Sequence, residues 1–195
     1  TNSNPDIARV FLEAGSDANA RDILGRRPLH RAAKYNSDPE IIKVLVDTGA
    51  DVNARCDGGR TPLHEAATNN ANAYIIKTLL EAGSDLKARD TLGKCPLHDA
   101  ARYNSNLEIN KSLIDAGSDV NARDKRGWTP LFYAVCFNSK IAAIRIFLEA
   151  GADVNARNKF GDTPLHYAAS NSPNADVIKT LVVAGSGINS KNMLG

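Results

Sequence analysis

The sequence lacks the features that would put it in a membrane or in a disulfide-rich secreted class. No run of roughly 18 or more apolar residues occurs, so no helix is long and apolar enough to cross a bilayer. No secretory leader is recognisable. The chain opens on Thr1 and not on Met, so it is expected to be an excised piece of a longer protein, and a targeting segment could have been lost with the rest. Cysteine is scarce: Cys56, Cys95 and Cys136 form no Cys-x-x-Cys pattern. An odd, scattered set reads as reduced thiols in a reducing compartment, so an intracellular, cytoplasmic setting is expected. A large excess of either charge is also missing, with 24 Lys and Arg against 22 Asp and Glu and a formal net charge of +2. That balance does not mark the chain as a binder of nucleic acid or of membrane surfaces.

What is present is repetition. Gly25, Gly59, Gly93, Gly127, Gly161 and Gly195 recur every 34 residues, as do Pro28, Pro62, Pro96, Pro130 and Pro164. A second glycine series runs Gly15, Gly49, Gly83, Gly117, Gly151 and Gly185. Five units occupy 25–58, 59–92, 93–126, 127–160 and 161–194, and residues 1–24 form the rear of a sixth. No linker interrupts the series, so 1–195 reads as a single repeat domain.

Each unit carries the same local instructions. Thr61, Thr129 and Thr163 are suited to cap a helix, and the proline after each fits the first helical position, where its missing N–H costs nothing. A short first helix follows, with Leu63 and the small pair Ala66-Ala67. After an Asn/Ser-rich turn, Ile41, Ile42, Leu45 and Val46 mark one face of a second helix. Gly49 and its equivalents end that helix cheaply. An extended stretch such as Asp51-Val52-Asn53-Ala54-Arg55 leads into the next unit. One helix pair cannot bury its apolar face alone, whereas stacked pairs roughly 8–10 Å apart can. Five units at that spacing would form a curved rod on the order of 50 Å long.

The segments Thr61-Pro62-Leu63-His64-Glu65-Ala66-Ala67 and Ala150-Gly151-Ala152-Asp153-Val154-Asn155-Ala156 resemble ankyrin repeats, over essentially the whole chain. The resemblance implies an all-α solenoid of helix–turn–helix units joined by β-hairpin-like loops, a monomer that binds another protein or a peptide through a groove. The departures look natural and not designed. The period is 34 where 33 is usual, the extra residue falling in turns such as Asn36-Ser37-Asp38-Pro39. Arg27 and Cys95 stand for the capping Thr and Phe132 for the fourth His. Asn110 replaces an inward Ile, Lys87 a hairpin Asn, Cys56 a hairpin Asp, and Gly187 the Asp after the last helix. With no polar cap at either end, Phe11 and Leu12 should lack a neighbour, and the parent protein is expected to continue.

Signs of catalysis are few. His30, His64, His98 and His166 share one slot, a helix spacing apart, too far to meet on one metal ion that needs ligands within about 2.1 Å. Their expected role is to tie helix to hairpin, as the resemblance implies. Gly93-Lys94-Cys95 lacks the upstream glycine and the Ser/Thr of a phosphate loop, and Gly185-Ser186-Gly187 lacks the third glycine of a dinucleotide fingerprint. No nucleophile–base set is implied, carboxylates such as Glu81 and Glu149 are dispersed, and no cofactor is expected. Asn110-Lys111-Ser112 matches a glycosylation sequon by chance, because Asn110 takes an inward slot. Asn53, Asn121 and Asn155 occupy a slot that can be hydroxylated in animal ankyrin proteins, but turn stabilisation is the preferred reading.

Recognition is expected where repeat positions vary: at the hairpin tips and on the exposed face of the first helices. Tyr103, Trp128, Tyr133, Phe137, Phe160 and Tyr167 gather there in units three to five, and large aromatics with arginine are what binding hot spots favour. An anchor site around Trp128, Tyr133 and Phe160 is one reading. Packing of Tyr103 and Phe137 into the turns, with Trp128 flat over its neighbour, is the other. Arg26, Arg27, Arg31, Lys34 and Arg60 are expected to lie together at the opposite end and to favour an acidic stretch, although a solvated charged face is the commoner outcome. Nucleic-acid binding through basic tips is a rival disfavoured by the near-neutral charge and by Asp57, Asp99 and Asp162. A targeting segment of a larger enzyme is a third possibility.

Overall fold

The computed structural model describes residues 15–138, 140–171 and 174–193; Phe11, Leu12 and Gly195 lie outside them. Ten α-helices and no strand occur among the described residues. They alternate between an inner and an outer row. The inner helices are α1 (Pro28–Tyr35), α3 (Pro62–Asn69), α5 (Pro96–Tyr103), α7 (Pro130–Tyr133) and α9 (Pro164–Asn171). The outer ones are α2 (Pro39–Asp47), α4 (Ala73–Glu81), α6 (Leu107–Asp115), α8 (Ile141–Glu149) and α10 (Ala175–Val183). α7 runs directly into a π-helical turn, Ala134–Asn138. The architecture is the all-α repeat solenoid that the sequence suggests.

Each inner helix starts as its sequence dictates. Thr61 has extended backbone, Pro62 follows at the first helical position, and His64 reaches back so that its Nδ1 accepts the Thr61 N–H at 3.2 Å. The same closure recurs from Arg27 to His30 and from Cys95 to His98, so the departures from threonine do not cost the backbone cap. Because a backbone N–H can only donate, Nδ1 is unprotonated and Nε2 carries the hydrogen. Nε2 then donates to the hairpin of the next repeat: His30 to Arg60 O at 3.0 Å, His64 to Lys94 O at 3.0 Å and His98 to Trp128 O at 3.1 Å.

The apolar stripe is buried as the periodicity requires. Leu29, Leu63, Leu97 and Leu131 of the inner row are fully buried, as are Ile42, Ile76, Ile144 and Phe147 of the outer row. Each such side chain contributes roughly 1.5–3 kcal/mol relative to exposure. Ala66 and Ala67 are fully buried too, and their small size brings α3 against α1 and α5. Asn110 occupies the slot of Ile76 and Ile144, fully buried, with no partner for either polar atom of its amide.

Three polar ladders run along the stack. Asn53 donates to Gly83 O at 3.0 Å and accepts from the Asp85 N–H at 2.8 Å; Asn121 and Asn155 do the same two and three interfaces further on. These asparagines therefore join one repeat to the next, whereas their own turn is closed by a neighbouring carboxylate such as Asp51. Lys87 leaves that ladder without its rung. Arg55 and Arg89 bind carbonyls of their own tip and of the next repeat, and Arg123 binds Arg157 O. In the turns between paired helices, Asn70 bonds Ala33 O and Asn36 O at 2.8 Å, and Asn104 repeats the pattern. The 34-residue period thus carries an asparagine ladder of its own.

Candidate functional site

At every described hairpin tip except that of Cys56, a side-chain oxygen gathers two backbone donors. Asp90 Oδ1 accepts from Leu92 N and Lys94 N, Asp124 Oδ1 from Arg126 N and Trp128 N, and Asn158 Oδ1 from Phe160 N and Asp162 N, all at 2.8–2.9 Å. The turn glycine that follows has positive φ, 78° at Gly93 and 77° at Gly127, a conformation a side chain would strain. At Gly59 a Cβ would also lie 3.1 Å from the Thr91 backbone nitrogen of the next tip. The geometry turns the residue before the glycine outward: Leu92 is 55% and Phe160 is 62% exposed.

The residue after the turn glycine points the other way, into the inner helices. Arg60 holds Glu65 in its own repeat at 2.6 Å and Asp99 in the next at 2.6 Å, and also bonds His64 O and Thr68 Oγ1. Asp99 is fully buried and takes Lys94 Nζ at 2.9 Å on its other oxygen, while Lys94 lies 3.5 Å from Asp90. Lys34 approaches Glu65 at 3.4 Å. Lys34, Arg60 and Lys94 thereby balance Glu65, Asp90 and Asp99. Burial alone would raise the Glu65 carboxyl, but the Arg60 guanidinium and then the Lys34 ammonium outweigh it and hold it below the ordinary range. Cys56 has no carboxylate to offer Arg60, whereas Asp22 captures Arg26 at 2.8 Å.

In the next repeats the same two positions are filled by rings. Trp128 takes the place of Arg60, and its ring lies 5.2 Å from Tyr133 and 4.9 Å, edge to face, from Tyr167. Phe132 stacks at 5.5 Å where the other repeats have histidine. Tyr133 donates its hydroxyl to Asp124 at 2.7 Å, and burial together with that carboxylate pushes its ionisation above the usual range. Burial also pushes the Cys136 thiol up to about 12, so it is not a thiolate at neutral pH.

The expected site residues therefore divide. Trp128 at 6% and Tyr133 at 4% exposure are core residues, and the anchor reading is corrected for both: each ring is spent on its neighbours. Tyr167 is partly buried against Trp128. The free basic patch is corrected as well, because Arg26, Arg27, Lys34 and Arg60 are all ion-paired, and only Arg31 of that group is exposed without a carboxylate among the described residues. Phe160, Tyr103 and Phe137 stand out at 62%, 51% and 49%. Between the last two lies Arg102, its guanidinium 4.7 Å from the Tyr103 ring, 4.1 Å from Phe137 and 5.8 Å from Tyr133. Arg102 was expected on the variable inner face of the first helices but was not among the residues expected to carry the site. The signal was a cation next to Tyr103 in its own repeat, at the inner-face position that Cys136 holds in the repeat carrying Phe137.

Residues 1–90 and 91–192 each match the family model of ankyrin repeats in three copies. The chain belongs to the ankyrin repeat family. Comparison with curated proteins finds no match. Ankyrin repeats are generally protein–protein interaction modules and typically carry no catalysis. A groove of about 560 Å³ also lies between the outer helices α8 and α10, lined by Ile141, Leu148 and Val183 among others. Its lining includes Arg145, Glu149, Asp176 and Lys179 but no aromatic ring, whereas Tyr103 and Phe137 belong to the inner row. No helix among the described residues is long and apolar enough to cross a membrane.

Proposed function

We propose that this ankyrin domain binds a partner protein or peptide across its inner helices and hairpin tips, with Tyr103, Phe137 and Phe160 as the principal contacts. The observation that carries this reading is the exposure of those rings, 49–62% of each, beside a core that already holds Trp128, Phe132 and Tyr133. Folding gains little from leaving a large ring in water, whereas a partner that covers it gains its area. Arg31, stacked 5.4 Å over the exposed Tyr35, offers a smaller contact of the same kind in the first repeat. The proposal includes a monomer working in a reducing compartment, supported by three free thiols.

Affinity capture from an extract of the source cell tests it. The Phe137→Ala/Phe160→Ala double variant should lose the proteins retained by the parent chain, while Val183→Ser on the outer row should keep them. A retained set that is the same for the parent and the double variant would remove these rings from the site.

A further inference from the structure

We infer that the partner of this surface presents a carboxylate, from an Asp or Glu side chain next to an apolar residue, and that Arg102 receives it. The inference rests on the interaction surface proposed above and names the chemistry it selects.

Arg102 is the exception among the cations of the central inner row. Lys34, Arg60 and Lys94 all have carboxylate partners in the fold. Arg102 has none among the described residues, and its Nε is buried without a hydrogen-bond partner. The nearby acids are committed elsewhere: Asp99 to Arg60 and Lys94, Asp124 to Tyr133. The buried Nε is closed to a ligand, and the terminal N–H groups, which have no hydrogen-bond partner among the described residues, are the ones a carboxylate can meet.

The rings decide which ligand fits. Tyr103 and Phe137 lie close to the guanidinium carbon, and such stacking fixes the plane of the group. The N–H donors then radiate in that plane as a fork, the geometry that a carboxylate meets with two parallel hydrogen bonds. Half-exposed Phe137 and Tyr103 lie beside the fork to take an apolar neighbour of the acid. The field around the site has the same sign. Lys125 and Arg126 at the following tip are exposed and, among the described residues, have no carboxylate within ion-pair distance.

A random twelve-residue peptide library displayed on phage, selected on the whole 195-residue chain, tests this. Selected sequences should share an Asp or Glu adjacent to a large apolar residue. Synthetic copies should bind at least tenfold more weakly when that acid is changed to its amide, a change that leaves the protein untouched. Arg102→Gln should weaken binding to the same degree, and Arg102→Lys, which keeps the charge but not the fork, should recover only part of it. Peptides that bind equally with acid or amide overturn the inference; if they still fail on Phe137→Ala, the surface stands and only its acid selectivity falls. Peptides indifferent to both Arg102→Gln and Phe137→Ala remove the surface as well. Failure to select any sequence, or displacement of the peptides by a single-stranded oligothymidine, also counts against a carboxylate ligand.

Discussion

Repeats two and three and repeats four and five solve one packing problem in two chemistries. In both, the residue after the tip glycine reaches a first-helix residue of its own repeat and the equivalent residue of the next. Arg60 does so with Glu65 and Asp99 through ion pairs of 2.6 Å; Trp128 does so with Tyr133 and Tyr167 through ring contacts of 5.2 and 4.9 Å. The ionic version demands that every partner be present, because buried charges are costly alone. The aromatic version demands volume and tolerates the loss of the histidine rung at Phe132. A family whose helices stack by alanine and leucine thus leaves this lattice free to change character along one chain. Phe137 packs on Trp128 and Tyr133 at the edge of that lattice with half its surface in water, and it is such exposed rings that are proposed as partner contacts.

The largest effects should come from breaking either lattice. Trp128→Ala should cost about 3–5 kcal/mol of stability, the usual penalty for emptying a large aromatic site, and denaturant unfolding will measure it. The loss of Trp128 would therefore weaken partner binding only by weakening the fold. Arg60→Met should cost about 3 kcal/mol by leaving Glu65 and fully buried Asp99 undercompensated. Changing Arg60, Glu65 and Asp99 together to apolar residues should recover most of that loss.

Acid should separate the two regions. Burial lowers the His30 and His64 pKa values and brings His98 from 6.5 to about 4. Unfolded imidazoles take up protons near 6.5, so acid favours the unfolded chain. Stability present at neutral pH is lost as pH falls from about 6.5 toward 4, and His98 alone accounts for about 3 kcal/mol. Hydrogen exchange should show α1, α3 and α5 losing protection across that range before α7, whose Phe132 has no proton to gain. Equal loss in all four would show that the histidine rungs do not set local stability.

Smaller changes sharpen the picture. Asn110→Ile should stabilise by about 2 kcal/mol, since it restores an apolar side chain where two amide atoms lie buried without partners. The check is a higher denaturant midpoint with an unchanged slope. Phe160→Ala should alter stability by no more than about 0.5 kcal/mol, as for other exposed positions.

The scaffold was legible in the sequence because glycine, proline and the apolar stripe have fixed conformational consequences, and these repeat. Asn110 could be assigned to an inward slot from the period alone. The site was less legible. Trp128 and Phe160 both sit at tip positions that vary, and only the tip geometry separates them: one side of the glycine faces water and the other faces the inner helices. The basic group of repeats one and two was visible as charges, but its neutralisation depended on partners up to 39 residues away, such as Asp99 for Arg60. Arg102 carried no periodic signal, and its meaning came from rings that two repeats bring together.

Photo-crosslinking from single sites in the source-cell extract tests the central claim most directly. A benzoylphenylalanine at position 137 or 160 should give partner adducts, whereas the same group at position 74 or 183 on the outer row should give few or none. Adducts from 74 or 183 with none from 137 and 160 would contradict the assignment of the exposed rings to the binding surface.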